Sequence, residues 1–345
     1  MKKVFVSIYD CVPGMRIAED VFNEYGAVVV AENMILDDRM ITVIENLGIE
    51  KVRVYDTDGE IIVAGGAELF RAQYNENVDT VKNVIHDISA GRQIDIEEVN
   101  KATGTMLSRI NENRDIVASI NQMRDADEYL YTHSVNVALL SMLIGKWLKY
   151  GYYDVRSLVN AGFLHDIGKG KISADIINKP APLNEEEYEE IKKHPAYGFK
   201  IAEKIPDLSD DIRKGILMHH EREDGSGYPF GLVGDKIHRY AKIIAVADVY
   251  DAMTSNRCYR DMICPFEVIG HMEVNCFKLL DQRVLNVFLK NIAAYYLGDY
   301  VKLSTGDIGE IIYINPFNIS KPIVRVDDIY IDLAREKQVR ILELI

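Results

Sequence analysis

Hydrophobic spacing divides the chain into four stretches. Residues 1–66 alternate apolar and polar positions in short β-branched runs, VFVSIYD, GAVVVAENMIL and EKVRVYD, separated by Gly, Asn and Asp, the pattern of strands joined by turns. Between the last two runs, Asp37–Leu47 switches to helical spacing with an acidic first turn, and Gly48 stands where the helix would stop. These residues predict a small α+β module, serving as a structural or dimerising cap or as a sensor of a ligand or partner. Residues 67–124 carry apolar positions three to four apart, among them Ile96, Val99, Met106, Ile110, Ile116 or Val117, and Ile120, with a break at Gly91. Two helices are expected, packing on the next domain, on a second subunit, or on both; a homodimer through residues 67–124 is the oligomeric expectation.

From Asp125 the helical period dominates. Asp125 or Asp127 can cap a long helix that places Leu130, His133, Val137, Leu140, Ile144 and Trp147 on one face and ends at Gly151. A second helix over 154–169 delivers His165-Asp166 at its end, where Gly168 and Gly170 bracket Lys169. Asn184 caps the next, and Pro195, just after His194, kinks or restarts it. Helices follow at Asp211–His220, at Tyr240–Ser255 with Asp248 and Asp251 three apart, and on to about Tyr296. From Gly298 to Ile345 the alternation returns, predicting a small antiparallel β unit. The fold class is therefore mainly α. An all-helical domain (125–297) is joined through a connector (67–124) to a small N-terminal α+β module (1–66), and is followed by a small C-terminal β unit (298–345).

Composition narrows the class. The 345 residues are 48% apolar and 27% charged, with a net charge of −14. That acidity argues against a nucleic-acid polymer as partner, since such binding needs basic surface. No apolar run approaches the roughly 20 residues of a membrane span, and the first residues lack the apolar core of a signal peptide. Four cysteines without CxxC spacing suit reduced thiols in a cytoplasmic protein.

The candidate chemistry lies in the helical domain. His133, His165, Asp166, His194, His219, His220 and Asp248 each fall near a helix end or on an inward face, and they include five of the eight histidines. His86 reads as a solvated helix residue, and His238 and His271 as structural or surface residues. Imidazole and carboxylate without thiolate is the donor mix of hydrolytic Mn, Fe or Zn sites. Seven donors exceed one ion and suit two divalent metal ions, with Asp166, beside His165, as the bridge. Two cations about 3.5–4 Å apart can activate a water and neutralise a phosphoryl oxygen together.

Three motifs carry a resemblance. HDIGKGKI resembles the HD superfamily of metal-dependent phosphohydrolases, and HHEREDGSGYPFGL followed by ADVYDAMTSNRCYR resembles its HD-GYP subfamily, over about residues 125–290. The resemblance implies an HD-type catalytic domain acting as a cyclic di-GMP phosphodiesterase, with either linear pGpG or, by a second cut, GMP as end product. It implies that the seven donors hold two ions, Fe or Mn foremost, and that Asp166 and Lys169 are catalytic. Lys169, Gly227, Tyr228, Pro229, Arg257 and Arg260 would contact substrate, the Gly-Tyr-Pro loop bordering the guanine. Tyr129 stands where some members carry a third-metal glutamate, and Cys258 where a proline is common. Two rival expectations are a hydrolase of another cyclic dinucleotide or nucleotide, and a receptor that binds without cutting. Glu221 and Asp224 are expected to shape the loop or to support the ligands from behind rather than to bind metal.

Overall fold

The computed structural model describes the chain except residues 1, 9, 10, 12, 24, 25, 48, 50, 57–63, 110–116, 118, 119, 121–128, 180 and 256–262. It separates into two compact units, the first comprising Met1–Gln73 and Ser108–Ser119, the second Tyr74–Leu107 and Ile120–Ile345.

In the first unit, β1 (Lys2–Ser7) pairs antiparallel with β4 (Lys51–Asp56), and β2 (Val21–Phe22) pairs with β3 (Val28–Val30). Between β3 and β4 lies α1 (Asp38–Asn46), whose start is fixed by Asp37, which accepts from the Met40 amide at 2.7 Å. Val6, Ile8, Ile17, Leu36, Ile44, Val52 and Val54 form one core. The alternation in β4 buries Val52 and Val54, as the period of two requires.

The second unit is mainly helical. It contains α3 (Ile96–Arg109), α4 (Tyr129–Trp147), α5 (Tyr152–Leu164), α6 (Ala174–Ile177), α7 (Glu185–Ile191), α8 (His194–Ala202), α9 (Asp210–Met218), α10 (Arg239–Thr254), α11 (Pro265–Asn275) and α12 (Gln282–Ala294). The preceding helix α2 (Ala64–Ser89) enters this unit at Tyr74. Apolar residues of α2 and α3, including Val78, Val81, Val84, Ile88, Val99 and Met106, are buried within the single chain. Of the predicted stripe, Val99, Met106, Val117 and Ile120 are thus covered within the chain, and Ile96 is half-buried. Gly91, at φ +77°, follows the end of α2, where a left-handed residue stops a helix.

One expectation needs amending. A single inward face was predicted for α4, but every residue from Thr132 to Gly145 is buried. No Asp, Glu, Lys or Arg occurs between Tyr129 and Gly145, so the helix has no face that must reach water and becomes the centre of the bundle. The caps proposed at Asp125 and Asp127, and the periodic positions Ile110 and Ile116, lie outside the described residues.

Local signals place the helices that follow. Asn184 and Glu187 form a reciprocal capping box on α7. Pro195 restarts the chain as α8, where a missing amide hydrogen costs nothing. The Ser209 hydroxyl caps α9 and the Asp281 carboxylate caps α12. At the C-terminal end, β5 (Tyr300–Leu303), β6 (Ile308–Asn315), β7 (Asn318–Val326), β8 (Ile329–Asp332) and β9 (Ile341–Leu344) make an antiparallel sheet in the order β8-β7-β6-β5-β9. It meets the helices through β7, where Ser320 donates to Glu273 of α11 at 2.7 Å. No helix among the described residues is long and apolar enough to cross a membrane.

Candidate metal centre

Three of the predicted donor histidines share one local device. His165 follows α5, His194 opens α8, and His219 follows α9. In each, Nδ1 lies 2.7 Å from the carbonyl oxygen three residues earlier, that of Gly162, Ile191 and Ile216. A carbonyl only accepts, so Nδ1 carries the proton and Nε2 presents a lone pair. The helix ends thereby aim three basic nitrogens inward.

These nitrogens converge on Asp166, which is itself 1% exposed. Its Oδ1 lies 3.2 Å from His194 Nε2 and 4.0 Å from His219 Nε2. Its Oδ2 lies 3.3 Å from His165 Nε2 and 3.8 Å from His133 Nε2. Asp248 repeats the division, with Oδ1 3.1 Å from His133 Nε2 and Oδ2 3.8 Å from His220 Nδ1. Two clusters result, His194, His219 and His220 in one, and His133, His165 and Asp166 in the other. Each carboxylate turns one oxygen toward each cluster.

The contacts are those of ligands around a cation rather than of a finished hydrogen-bond network. His194 Nε2 and His219 Nε2 face each other at 3.2 Å, both as acceptors. His165 Nε2 and Asp166 Oδ1 are buried with no hydrogen-bond partner, a costly condition. Separations of this size match neighbouring ligands on an ion with bonds of roughly 2.1 Å. The two buried clusters therefore suit a metal site.

Ionisation favours the same state. Burial, reinforced by the crowding of neighbouring imidazoles, holds His219 and His220 well below the ordinary histidine range. They are neutral, as ligands must be. Burial would raise Asp166, but the charge of Lys169 and its contacts with His165 and His194 outweigh it and keep the carboxyl well below its usual range. Burial would raise Asp248 too, but its hydrogen bond to His133 and the charge of that ring hold it low. For His133, burial favours the neutral ring, but hydrogen bonds to Asp248 and Asp251 prevail and push it up to about 9. Without an ion, this imidazolium partly neutralises the acids.

The turn after Asp166 depends on a glycine. The 3₁₀ segment Ile167–Lys171 presses against α8 so closely that a Cβ on Gly168 would lie 1.9 Å from the His194 carbonyl oxygen and 2.5 Å from the Gly198 amide nitrogen. Both obstacles are backbone. Gly168→Ala is expected to cost about 3 kcal/mol of stability, near the upper end of overpacking effects. Urea denaturation measures it, and a loss under 0.5 kcal/mol, roughly that of an ordinary surface change, would refute the close packing. The same turn carries Lys169, whose Nζ lies 2.5 Å from Asp166 Oδ2.

The Gly-Tyr-Pro loop forms one wall. Gly227 is folded back on His220–Arg222, leaving 2.4 Å between a built Cβ and the Arg222 amide nitrogen. Tyr228 then stacks on His220 with ring centroids 4.7 Å apart, and burial raises its phenol so that it keeps its proton. The Tyr228–Pro229 peptide is cis. Glu221, 2% exposed, holds the far side of the loop, its two carboxylate oxygens each accepting at 2.8 Å, from the amides of Phe230 and Leu232. Asp224 accepts from the amide and hydroxyl of Ser226. Both acids shape the loop, as expected.

Tyr129 stacks on the His133 ring at 5.3 Å. Arg257, Arg260 and Cys258 lie outside the described residues. Asp251 was noted in the sequence but given no role. It accepts from His133 Nδ1 at 2.7 Å and from Asn136 at 2.9 Å, and so orients the ring from behind. Its place one helical turn after Asp248 was the available signal.

A profile of the HD domain family matches residues 112–284. The chain is 32% identical over 247 residues to a cyclic di-GMP phosphodiesterase of Pseudomonas aeruginosa, covering 71% of this chain and 59% of that protein. It is 33% identical to a cyclic di-GMP phosphodiesterase of Borreliella burgdorferi, over 57% of this chain and 52% of that one. It is 37% identical to a 3′3′-cGAMP-specific phosphodiesterase of Vibrio cholerae, over 49% of this chain and 39% of that one. The chain thus spans about half the length of the curated relatives it matches. Among solved structures, an HDG"Y"P protein from Bdellovibrio bacteriovorus shares the fold, with a TM-score of 0.57 at 13% identity, over 84% of this chain and 99% of that one.

Proposed function

The chain belongs to the HD domain family, and on that premise we propose that it is a metal-dependent phosphodiesterase hydrolysing cyclic di-GMP to linear pGpG and onward to GMP. The observation that carries this reading is the division of the Asp166 oxygens between two groups of buried histidines. In it, His133, His165, His194, His219, His220, Asp166 and Asp248 hold two divalent ions, Fe or Mn. Such ions, when bound, supply Lewis acidity toward phosphoryl oxygens and acidify water to near neutrality.

The chain's own groups do the rest. Asp166 and Asp248 hold the negative charge that retains the cations, and Asp251 keeps the His133 ring in register. Lys169, 21% exposed at the side chain, reaches a non-bridging phosphate oxygen and stabilises the charge that grows there. Tyr228, protonated and stacked on His220, walls the guanine side of the cleft with Gly227 and Pro229. Arg257 and Arg260 take further phosphate oxygens. Residues 67–124 remain our choice for a homodimer contact, through whatever surface their buried stripe leaves.

The Vibrio cholerae relative specific for 3′3′-cGAMP supports a second reading, in which that dinucleotide is the substrate. Mn- or Fe-loaded protein is to be incubated separately with cyclic di-GMP and 3′3′-cGAMP, the products separated by chromatography, and His165→Ala run as control. The parent is expected to cut cyclic di-GMP faster, and the variant neither. Faster loss of 3′3′-cGAMP transfers the assignment to the second reading. Retention of dinucleotide without product over hours makes the protein a receptor, and equal turnover by His165→Ala removes the site.

A further inference from the structure

The metal centre is tied to α2 by a chain of buried hydrogen bonds. Asp251, fully buried, accepts from His133 Nδ1 at 2.7 Å and from Asn136 Nδ2 at 2.9 Å. Asn136, 1% exposed, has its amide oxygen 2.7 Å from the hydroxyl of Tyr74, which is 2% exposed. The direction of the chain is determined. A carboxylate accepts, so the Asn136 amide group must face Asp251 with its nitrogen, and its oxygen must then accept from Tyr74.

Helix α2 also bonds to the turn that follows Lys169. Ser89 donates to the Gly170 carbonyl at 3.0 Å, and Lys171 Nζ donates to the Ile88 carbonyl at 2.5 Å. These two residues follow Lys169 directly. A methyl on Gly170 would press on Ile88 at 3.0 Å and on the Ile85 carbonyl at 3.2 Å. Tyr74 and Ser89 are about 22 Å apart along a helix rising 1.5 Å per residue. One helix therefore braces both the support of His133 and the turn that presents Lys169.

We propose that Tyr74 is a positioning residue of the metal centre: through Asn136 and Asp251 it holds the His133 ring in its ligating orientation, so that the placement of α2 sets how tightly the site takes up a divalent ion. The proposal rests on the assignment of His133 as a ligand. It gives α2, which crosses from the first unit into the second at Tyr74, a means of adjusting the centre without touching substrate.

Tyr74→Phe removes one hydroxyl from the full chain at nearly constant volume. Two readouts test it. Mn²⁺ titration is expected to show binding weakened about tenfold, the lower end of effects from partners behind a ligand. Histidine-¹⁵N NMR of ion-free protein is expected to shift the deshielded Nδ1–H signal of His133, identified by its disappearance in His133→Gln. Thr103→Val is the matched control. It deletes another buried hydroxyl, which donates to Asn160 at 2.6 Å, in a pair sharing no residue with this chain. It should lower Tm comparably and leave both readouts at the parent's values. Should Tyr74→Phe not fold, Asn136→Ser cuts the middle link and is judged by the same measurements.

Unchanged Mn²⁺ affinity and an unchanged His133 signal in the variant overturn the proposal and leave Tyr74 a packing residue. Failure of the parent to cut either cyclic dinucleotide would sink the functional reading alone, since neither readout uses substrate. Equal weakening in Thr103→Val would assign the effect to general loosening and overturn it as well.

Discussion

Asp166→Asn is expected to lower phosphodiesterase turnover by at least about 10³-fold, some 4 kcal/mol of barrier, and to reduce bound metal from two ions per chain to one or fewer. The carboxylate turns an oxygen to each histidine cluster, at 3.2 Å to His194 and 3.3 Å to His165, closer than Asp248 comes to the first cluster at 3.8 Å. An amide keeps the volume but removes the charge. It also replaces one acceptor by a donor, which can bond an imidazole lone pair and seal the cleft with a hydrogen bond. The ion-free fold should therefore survive, with Tm close to the parent's, while metal analysis and turnover collapse together. Two ions retained in a folded Asp166→Asn protein would exclude the bridging role, whatever happened to turnover.

Glu221→Ala is expected to separate the loop from the metal. The carboxylate is buried and accepts from Phe230 and Leu232, both at 2.8 Å. Its removal leaves two inward amides without partners, at about 1–3 kcal/mol each. The Gly-Tyr-Pro loop between them loses its anchor. kcat/KM for the cyclic dinucleotide should fall by roughly 10²-fold, the equivalent of about 2.7 kcal/mol, mostly through KM. Metal content should stay near the parent's value, because His165, His194 and His219 are held by backbone carbonyls three residues earlier and His133 by Asp251. Loss of metal in step with activity would show that Glu221 supports the ions rather than the loop. Glu221→Gln is the finer test, since its amide restores one acceptor and should recover part of the loss.

Much of the fold could be read from short-range pattern. Alternation over VFVSIYD and EKVRVYD marked β1 and β4, and Asn184 as a cap residue marked the start of α7. The α4 stripe was misjudged because periodicity reports polar positions on a helix, and α4 has none that are charged before Lys146. The donor types and their order were also legible, since histidines at helix ends beside Gly and Pro are a local signature. Asp251 was visible as a residue but not as a partner. Its contact with His133 spans 118 positions and that with Asn136 spans 115, and spacing along a helix says nothing about what another helix brings to it.

Residue type and local order alone determined which helices exist, where they stop, and which imidazoles and carboxylates are available, because caps, periodicity and glycine breaks act over only a few residues. Tertiary packing decided the rest. It set which oxygen of Asp166 faces which cluster, how near the Gly168 turn approaches α8, and that Tyr74 supports His133 through two intermediaries. Those are distances between elements remote in sequence, and only the filling of a shared interior sets them.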